Sequence, residues 1–108
     1  MNLLSRTEEI ILLTILKLKG NAYGFSIRDQ IYKDTGKKWS FASIYQPLSK
    51  LTAKAYVEKI EAEATPQRNN KKKYLYELTP EGMEALKCIY ETQKNLWADV
   101  PVASLYQE

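Results

Sequence analysis

Residues Ser40-Phe41-Ala42-Ser43-Ile44-Tyr45-Gln46-Pro47-Leu48 are followed by Tyr56-Val57-Glu58-Lys59-Ile60, Arg68-Asn69-Asn70-Lys71-Lys72-Lys73 and Tyr74-Leu75-Tyr76-Glu77-Leu78. The order reads as helix, strand, basic tip, strand. Phe41, Ile44, Leu48, Leu51 and Ala55 recur at spacings of three and four, the pattern of a helix with one buried stripe. The opposite side carries Ala42, Ser43, Gln46, Ser49, Lys50 and Lys54. These are mostly small or hydrogen-bonding residues, which let a helix backbone approach base edges closely. Ser40 is placed to cap this helix. Pro47 removes one helical hydrogen bond at a cost of roughly 3 kcal/mol, so a bend or a late first turn is expected there. The two strand-like runs are rich in β-branched and aromatic residues. Asn69-Asn70 tolerates positive φ and suits a hairpin tip. A helix fitted to the major groove beside a cationic hairpin that meets phosphates is a winged helix-turn-helix.

Working outward, Ser5-Arg6-Thr7-Glu8 has the spacing of a capping box. It opens a helix that is apolar on nearly every side, with Ile10, Ile11, Leu12, Leu13, Ile15, Leu16 and Leu18. Such a helix belongs in the interior, or in an interior shared with a second subunit. Lys19-Gly20-Asn21 ends it. Ser26 is placed to cap a second helix over 27–35, with Ile27 and Ile31 on its buried face and Gly36 as its stop. Trp39 braces the turn that follows. Beyond the hairpin, Thr79-Pro80-Glu81 is a helix start: cap, proline at the first position, then an acid against the dipole. This fourth helix is expected to run to Val100, before Pro101. Met83, Leu86, Tyr90, Gln93, Trp97 and Val100 form a heptad-like seam with Ile89 and Leu96 beside it.

The expected fold is therefore mainly α with a small β-hairpin: a winged helix-turn-helix with a C-terminal dimerisation helix. Residues 1–78 form the DNA-binding domain, and residues 79–108 the dimerisation helix and tail. A length of 108 residues suits one domain. Residues 1–76 carry 14 basic against 7 acidic side chains, and residues 77–108 carry 2 against 6. A net charge of +3 thus divides into a cationic body and an acidic tail.

The chain has no histidine and a single cysteine, Cys88. The usual general base, the commonest metal ligand and a zinc cluster are all missing from the sequence. Gly20, Gly24, Gly36 and Gly82 are isolated and make no phosphate loop. Glu58, Glu61 and Glu63 have the spacing of surface alternation. No cofactor, metal or catalytic residue is assigned, and an enzyme is disfavoured. Cys88 lies beside the apolar stripe of the fourth helix and reads as a packing residue. The apolar run 10–18 is too short to span a bilayer and lacks a cleavage pattern, so a cytoplasmic location without membrane association is expected.

The sequence resembles the PadR family of bacterial transcriptional regulators. The likeness is carried by Leu3-Leu4-Ser5 with Glu8-Glu9, Ala22-Tyr23-Gly24, Ser40-Phe41 with Ile44-Tyr45, and Pro47-Leu48 with Lys50-Leu51. It continues through Tyr56-Val57, Tyr74 with Tyr76, and Leu78-Thr79-Pro80-Glu81-Gly82. It extends from residue 3 to about residue 97 and looks like the short branch of the family, with one C-terminal helix. The resemblance implies a homodimer joined largely through the last helix. It also implies repression at a pseudo-palindromic operator and, in some members, release by a small aromatic or multidrug-like effector. The family often has glycine just after the recognition helix, where this chain has Ala55. Alanine at positive φ is strained, so either the helix runs on slightly or the turn differs.

The residues expected at double-stranded DNA are Ser40, Ala42, Ser43, Gln46 and Lys50 in the major groove, with Arg68, Lys71, Lys72 and Lys73 on phosphates; Tyr45 on the same helix either reaches a phosphate with its hydroxyl or simply packs. Gln46 is the base-contact candidate, because its amide pairs with adenine. An ordinary solvated helix face and an aggregation-resisting hairpin edge are the plainer readings. Met83, Leu86, Ile89, Tyr90, Gln93, Leu96, Trp97 and Val100 are expected at the dimer interface. Gln93 and Trp97 are the candidates for lining an effector cavity, with register setting and simple anchoring as their plainer roles. A winged-helix protein-interaction module without DNA binding is the alternative function.

Overall fold

The computed structural model describes residues 4–62 and 73–107. Arg68, Lys71 and Lys72 of the expected basic tip lie outside the described residues. The element order is α1 (Arg6–Lys17), α2 (Gly24–Thr35), α3 (Phe41–Ala53), β1 (Val57–Ala62), β2 (Lys73–Leu78) and α4 (Pro80–Trp97). A short 3-10 helix follows at Val102–Tyr106. Helices with one antiparallel hairpin confirm the winged-helix expectation. In the hairpin Val57 pairs with Leu78 and Ala62 with Lys73.

The expected capping box forms at the start of α1. The Ser5 hydroxyl accepts from the Glu8 amide at 3.1 Å, and the Glu8 carboxylate accepts from the Ser5 amide at 3.0 Å. Ile11, Leu12 and Ile15 are buried, whereas Leu13 and Leu16 are exposed. The apolar helix is therefore covered on one side only. Helix α2 begins a turn earlier than its sequence suggests. Ser26 sits inside the first turn rather than before it, and its hydroxyl accepts from the Tyr23 amide at 2.9 Å.

The core joins Ile11, Leu12 and Ile15 to Ile27 and Ile31 of α2, Ile44, Leu48 and Leu51 of α3, and Val57 and Tyr76 of the hairpin. The three central members of the α3 stripe are buried as expected, but its two ends are not: Phe41 and Ala55 are exposed. Helix α3 starts at Phe41, so there is no late first turn, and it continues helical through Pro47. Pro47 withdraws the amide that would have bonded to the Ser43 carbonyl, one turn from the helix start.

After α3 the chain reverses on Ala55, which takes a left-handed conformation at φ 64°. The Tyr56 amide reaches the Leu51 carbonyl at 3.0 Å and the Ala55 amide reaches that of Thr52 at 3.0 Å. This is a Schellman turn, normally closed by glycine. The helix neither runs on nor changes its turn; alanine simply occupies the glycine position.

Thr79 caps α4 by accepting from the Gly82 amide at 3.0 Å, while its own hydroxyl donates to the Ala55 carbonyl at 2.6 Å. Gly82 lies against the Tyr56 carbonyl, where a Cβ would collide with backbone. Helix α4 ends at Trp97, short of Val100, and Asp99 turns the chain at φ 63°. The chain leaves the helical region at Ala98, at φ −57° and ψ 133°, three residues ahead of Pro101, which cannot continue a helix. Of the expected seam only Leu86 is buried in the monomer, while Ile89 packs partly against the core. Met83, Tyr90, Leu96, Trp97 and Val100 are exposed. Cys88 is exposed too and does not pack in the core. The radius of gyration is 16.2 Å, against about 13 Å for a compact domain of this length.

Candidate nucleic-acid interface

The outward face of α3 is set by its buried one. With Ile44, Leu48 and Leu51 turned into the core, Ala42, Ser43, Tyr45, Gln46, Ser49 and Lys50 are all exposed. Ser40 caps the helix, its hydroxyl accepting from the Ser43 amide at 3.1 Å. The Ser40 and Ser43 hydroxyls lie 2.9 Å apart. Both are thus partly committed to holding the first turn. Gln46 has no such commitment among the described residues and lines a recess with Ser40, Ser43, Trp39, Lys38 and Thr7.

Tyr45 diverges from the rest of this face. Its hydroxyl end packs over Gly24 at the start of α2, where any side chain would displace it. Its ring stacks on Phe41 with centroids 6.3 Å apart. Tyr45 therefore links α3 to α2 and faces the hairpin. Between these elements lies a groove of about 760 Å³ lined by aromatic residues that include Tyr23, Phe25, Phe41, Tyr45 and Tyr74, with Lys59 and Lys73.

Both lysines rest on rings. The Lys73 ammonium stands 3.7 Å from the Tyr23 ring centroid, and that of Lys59 stands 4.2 Å from the Tyr74 centroid. The ring quadrupole holds each cation while leaving its outer hemisphere to solvent. Tyr76, at the back of the groove, is buried. Burial raises the pKa of its phenol above the ordinary value of 10.0, and neighbouring Tyr45 and Tyr74 raise it further. The groove is thus neutral at its floor and cationic at its rim, an arrangement that attracts phosphate rather than metal.

The structure leaves Ser40, Ala42, Ser43, Gln46 and Lys50 exposed, with Ser40, Ser43 and Gln46 around one recess, while Lys73 lines the other groove with Phe41, Tyr45 and Ser49 of α3. Residues not singled out from the sequence join them. Lys59 and Tyr74 are diagonal neighbours across the hairpin, Lys59 lying opposite Tyr76 and Tyr74 opposite Glu61, so their contact needs the strand register. Arg28 of α2 donates from Nε to the Trp39 carbonyl at 2.7 Å and lies 4.5 Å from the Phe41 ring centroid. One signal for Arg28 was available: it follows Ile27 directly, on the flank of the buried stripe that must face the next helix.

On the far side of the molecule, α4 and the start of α1 enclose a second groove of about 600 Å³. Its lining includes Tyr56, Glu81, Glu84, Cys88, Ile89, Gln93 and Leu96. Gln93 is therefore at a cavity, but Trp97, its expected companion, is not among the lining residues. Among the described residues, no helix is long and apolar enough to cross a membrane.

Comparison with known proteins agrees with this geometry. No curated protein matches the chain. Several solved structures share the fold. One is a PadR family transcription regulator from Clostridium difficile, 19% identical, with a TM-score of 0.69 over 94% of this chain and 99% of that one. A PadR-like transcriptional regulator from Bacillus cereus is 22% identical, with a TM-score of 0.69 over 94% and 91%. A transcriptional regulator from Clostridium thermocellum is 24% identical, with a TM-score of 0.67 over 87% and 89%. The model of the transcriptional regulator PadR-like family matches residues 12–88, well over half of the sequence, from the second half of α1 to the middle of α4. The chain belongs to the PadR-like family of transcriptional regulators, which are DNA-binding proteins and not enzymes.

Proposed function

We propose that this protein binds a specific DNA operator as a homodimer and represses transcription there. The observation that carries the reading is the outward face of α3. Ala42, Ser43, Gln46 and Lys50 stand uncovered, and the ring-held cations Lys59 and Lys73 line the groove along the neighbouring flank of the same helix, with Phe41, Tyr45 and Ser49. Ala42 and Ser43 keep the helix surface low, so its backbone can sit deep in a major groove. Gln46 offers both a donor and an acceptor for a base edge. Lys59, Lys73 and the basic residues of the tip neutralise the phosphates alongside, which fixes register without reading sequence. Arg68, Lys71 and Lys72 belong to that second group by their chemistry.

A dimer is supported by what α4 leaves open. Met83, Tyr90, Leu96 and Trp97 are exposed along α4, with Val100 exposed just beyond its end, together with Leu13 and Leu16 of α1. Large apolar residues gathered in this way are the mark of an interface. With the half-buried Ile89 and Gln93 they make up the surface we assign to the second copy; Leu86, expected there from its spacing, is instead buried in the core of its own subunit. Two recognition helices would then stand roughly 34 Å apart, one turn of DNA, and a two-fold protein calls for a pseudo-palindromic site. A small aromatic effector would act at the α1–α4 groove, where Gln93 is accessible. It releases the operator only if it binds the non-operator geometry of the dimer more tightly.

The test is a fluorescence-anisotropy titration against a library of duplexes, including DNA upstream of the protein's own gene, at two salt concentrations. Selective binding that weakens steeply with salt supports the reading, because each neutralised phosphate releases counterions. Weak binding to every duplex alike would overturn it and favour an interaction module.

A further inference from the structure

We infer that Arg28 is a phosphate-contacting residue that also sets the angle at which α3 enters the groove. The inference rests on the DNA-binding reading above and extends it to a residue on a different helix. Arg28 sits on α2, partly buried, and bridges to the element that follows. Its Nε donates to the Trp39 carbonyl at 2.7 Å, the last peptide before the α3 cap. Its guanidinium carbon stands 4.5 Å from the ring centroid of Phe41, the first residue of α3. One side chain therefore holds both the turn before α3 and the first residue of the helix itself.

That arrangement uses one of the five guanidinium N–H groups. No partner for the other four is found among the described residues. Arg28 lines a recess of about 320 Å³ together with Phe25, Asp29, Tyr32 and Lys38. Lys38 adds a second cation to this recess, and Asp29 is already paired with Lys33 at 3.1 Å. A planar fork with free donors beside a second cation has the geometry for bidentate contact with a phosphate.

Phe41 gains a reason for its exposure from this. It leads the apolar stripe of α3, yet it is 42% exposed. In place of core packing it supplies the flat surface on which the guanidinium lies. The stacked Tyr45 ring backs Phe41 in turn, and Tyr45 is seated on Gly24 of α2. Arg28, Phe41, Tyr45 and Gly24 form a closed loop of contacts between the two helices. A phosphate bound to Arg28 would load this loop directly, and the N-terminal end of α3 would follow. Lysine cannot replace arginine here, because an ammonium lacks both the Nε–H and the planar surface.

The experiment compares full-length wild type, Arg28→Lys, Arg28→Gln and Phe41→Leu by anisotropy titration. Each is measured on the selected operator and on a scrambled duplex across a salt series, with thermal unfolding as a check on folding. Arg28→Lys is expected to bind the operator about tenfold more weakly with its salt slope unchanged, while scrambled-duplex affinity stays within about twofold. Arg28→Gln should lower the salt slope by about 1 on both duplexes. Phe41→Leu leaves every charge in place and should reproduce the selectivity loss of Arg28→Lys. It keeps the inference testable if the Arg28 variants fold poorly. Wild-type selectivity retained in both Arg28→Lys and Phe41→Leu would overturn the inference and leave the DNA reading intact. Wild type with no selective duplex binding would overturn both.

Discussion

Replacing Ala55 by glycine should stabilise this protein. Ala55 occupies the left-handed position that closes the Schellman turn after α3, at φ 64°. An L-residue with a Cβ pays about 1–2 kcal/mol in that region, because the Cβ approaches the following carbonyl. The side chain is exposed, so removing it loses no core packing. The two turn bonds, Tyr56 to Leu51 and Ala55 to Thr52, are made by backbone and survive the change. Against the gain stands the greater freedom of glycine in the unfolded chain, worth roughly 0.4–1 kcal/mol. The net is a stabilisation of about 0.5–1 kcal/mol, or a rise in Tm of about 2–5 °C for a chain of this size. Thermal and urea unfolding at matched protein concentration measure it, since the midpoint of a dimer moves with concentration. Ala55→Val makes the opposite case, because a β-branched residue fits the left-handed region worse than alanine. An unchanged or lowered Tm in Ala55→Gly would refute the reasoning, as would a valine variant as stable as wild type.

Gly82→Ala should destabilise by about 2–3 kcal/mol, seen as a lower urea midpoint, because the new methyl meets the backbone carbonyl of Tyr56 and the α4–hairpin junction must open. Glu8 carries an acid-dependent share of stability. Burial alone raises its pKa, but bonds from the Ser5 amide, Lys54 and the Ser5 hydroxyl outweigh it and hold the carboxyl below its ordinary 4.5. Its contribution is therefore complete above the unfolded pKa and is lost as pH falls through the lower folded value. Glu8→Gln should cost about 1–3 kcal/mol at pH 7 and flatten the acid limb of the stability–pH curve, read from urea midpoints between pH 3 and 7. Lys73→Ala should weaken binding to all duplexes alike and reduce the salt slope by about 1, whereas Gln46→Ala should relax preference at one operator position and leave the slope unchanged. Binding-site selection with each variant separates the two outcomes.

Much of the fold was legible because local signals agreed with one another. Ser5 and Glu8 announced a capping box and made one; Thr79-Pro80-Glu81 announced a helix start and made one. The three-four spacing of Ile44, Leu48 and Leu51 fixed the buried side of α3, and with it the outward side. What failed was read at the ends of patterns. Phe41 fits the stripe by spacing, but the core is not deep enough at the start of α3 to cover it, and Arg28 stacks there instead. Val100 fits the α4 seam by spacing, but Pro101 forbids the helix that would carry it that far. Ala55 could not be placed from sequence, because a Schellman turn is chosen by backbone bonds that tolerate alanine at a modest cost. The cation–ring pairs of Lys59 and Lys73 depend on register and on the packing of α2 against the hairpin. No window of sequence contains both partners of Lys73 and Tyr23.

These details meet in how α3 is held. At its first turn it is tied by the Ser40 cap, by Arg28 through Trp39 and Phe41, and by Tyr45 over Gly24. At its far end Lys54 reaches the Glu8 carboxylate at 2.9 Å, anchoring the helix to the start of α1. The Ala55 carbonyl just beyond it accepts from Thr79, the same residue that caps α4. The helix is thus fixed at both ends by side chains of other elements and left open along one side. The two ends answer to different inputs. The N-terminal clamp lies on the surface where DNA phosphates would approach. The C-terminal clamp joins α3 to α1 and α4, the helices whose apolar faces remain uncovered in the monomer. A change in how two copies dock would swing α4 about Thr79 and pull on the Ala55 and Tyr56 carbonyls, which accept from the Thr79 hydroxyl at 2.6 Å and its amide at 3.1 Å, so it would reach the far end of α3 through this one residue. If α3 is the recognition helix proposed above, its angle is in this way tied both to the proposed DNA surface and to the proposed dimer surface, which is the mechanical requirement for any ligand at one to be felt at the other.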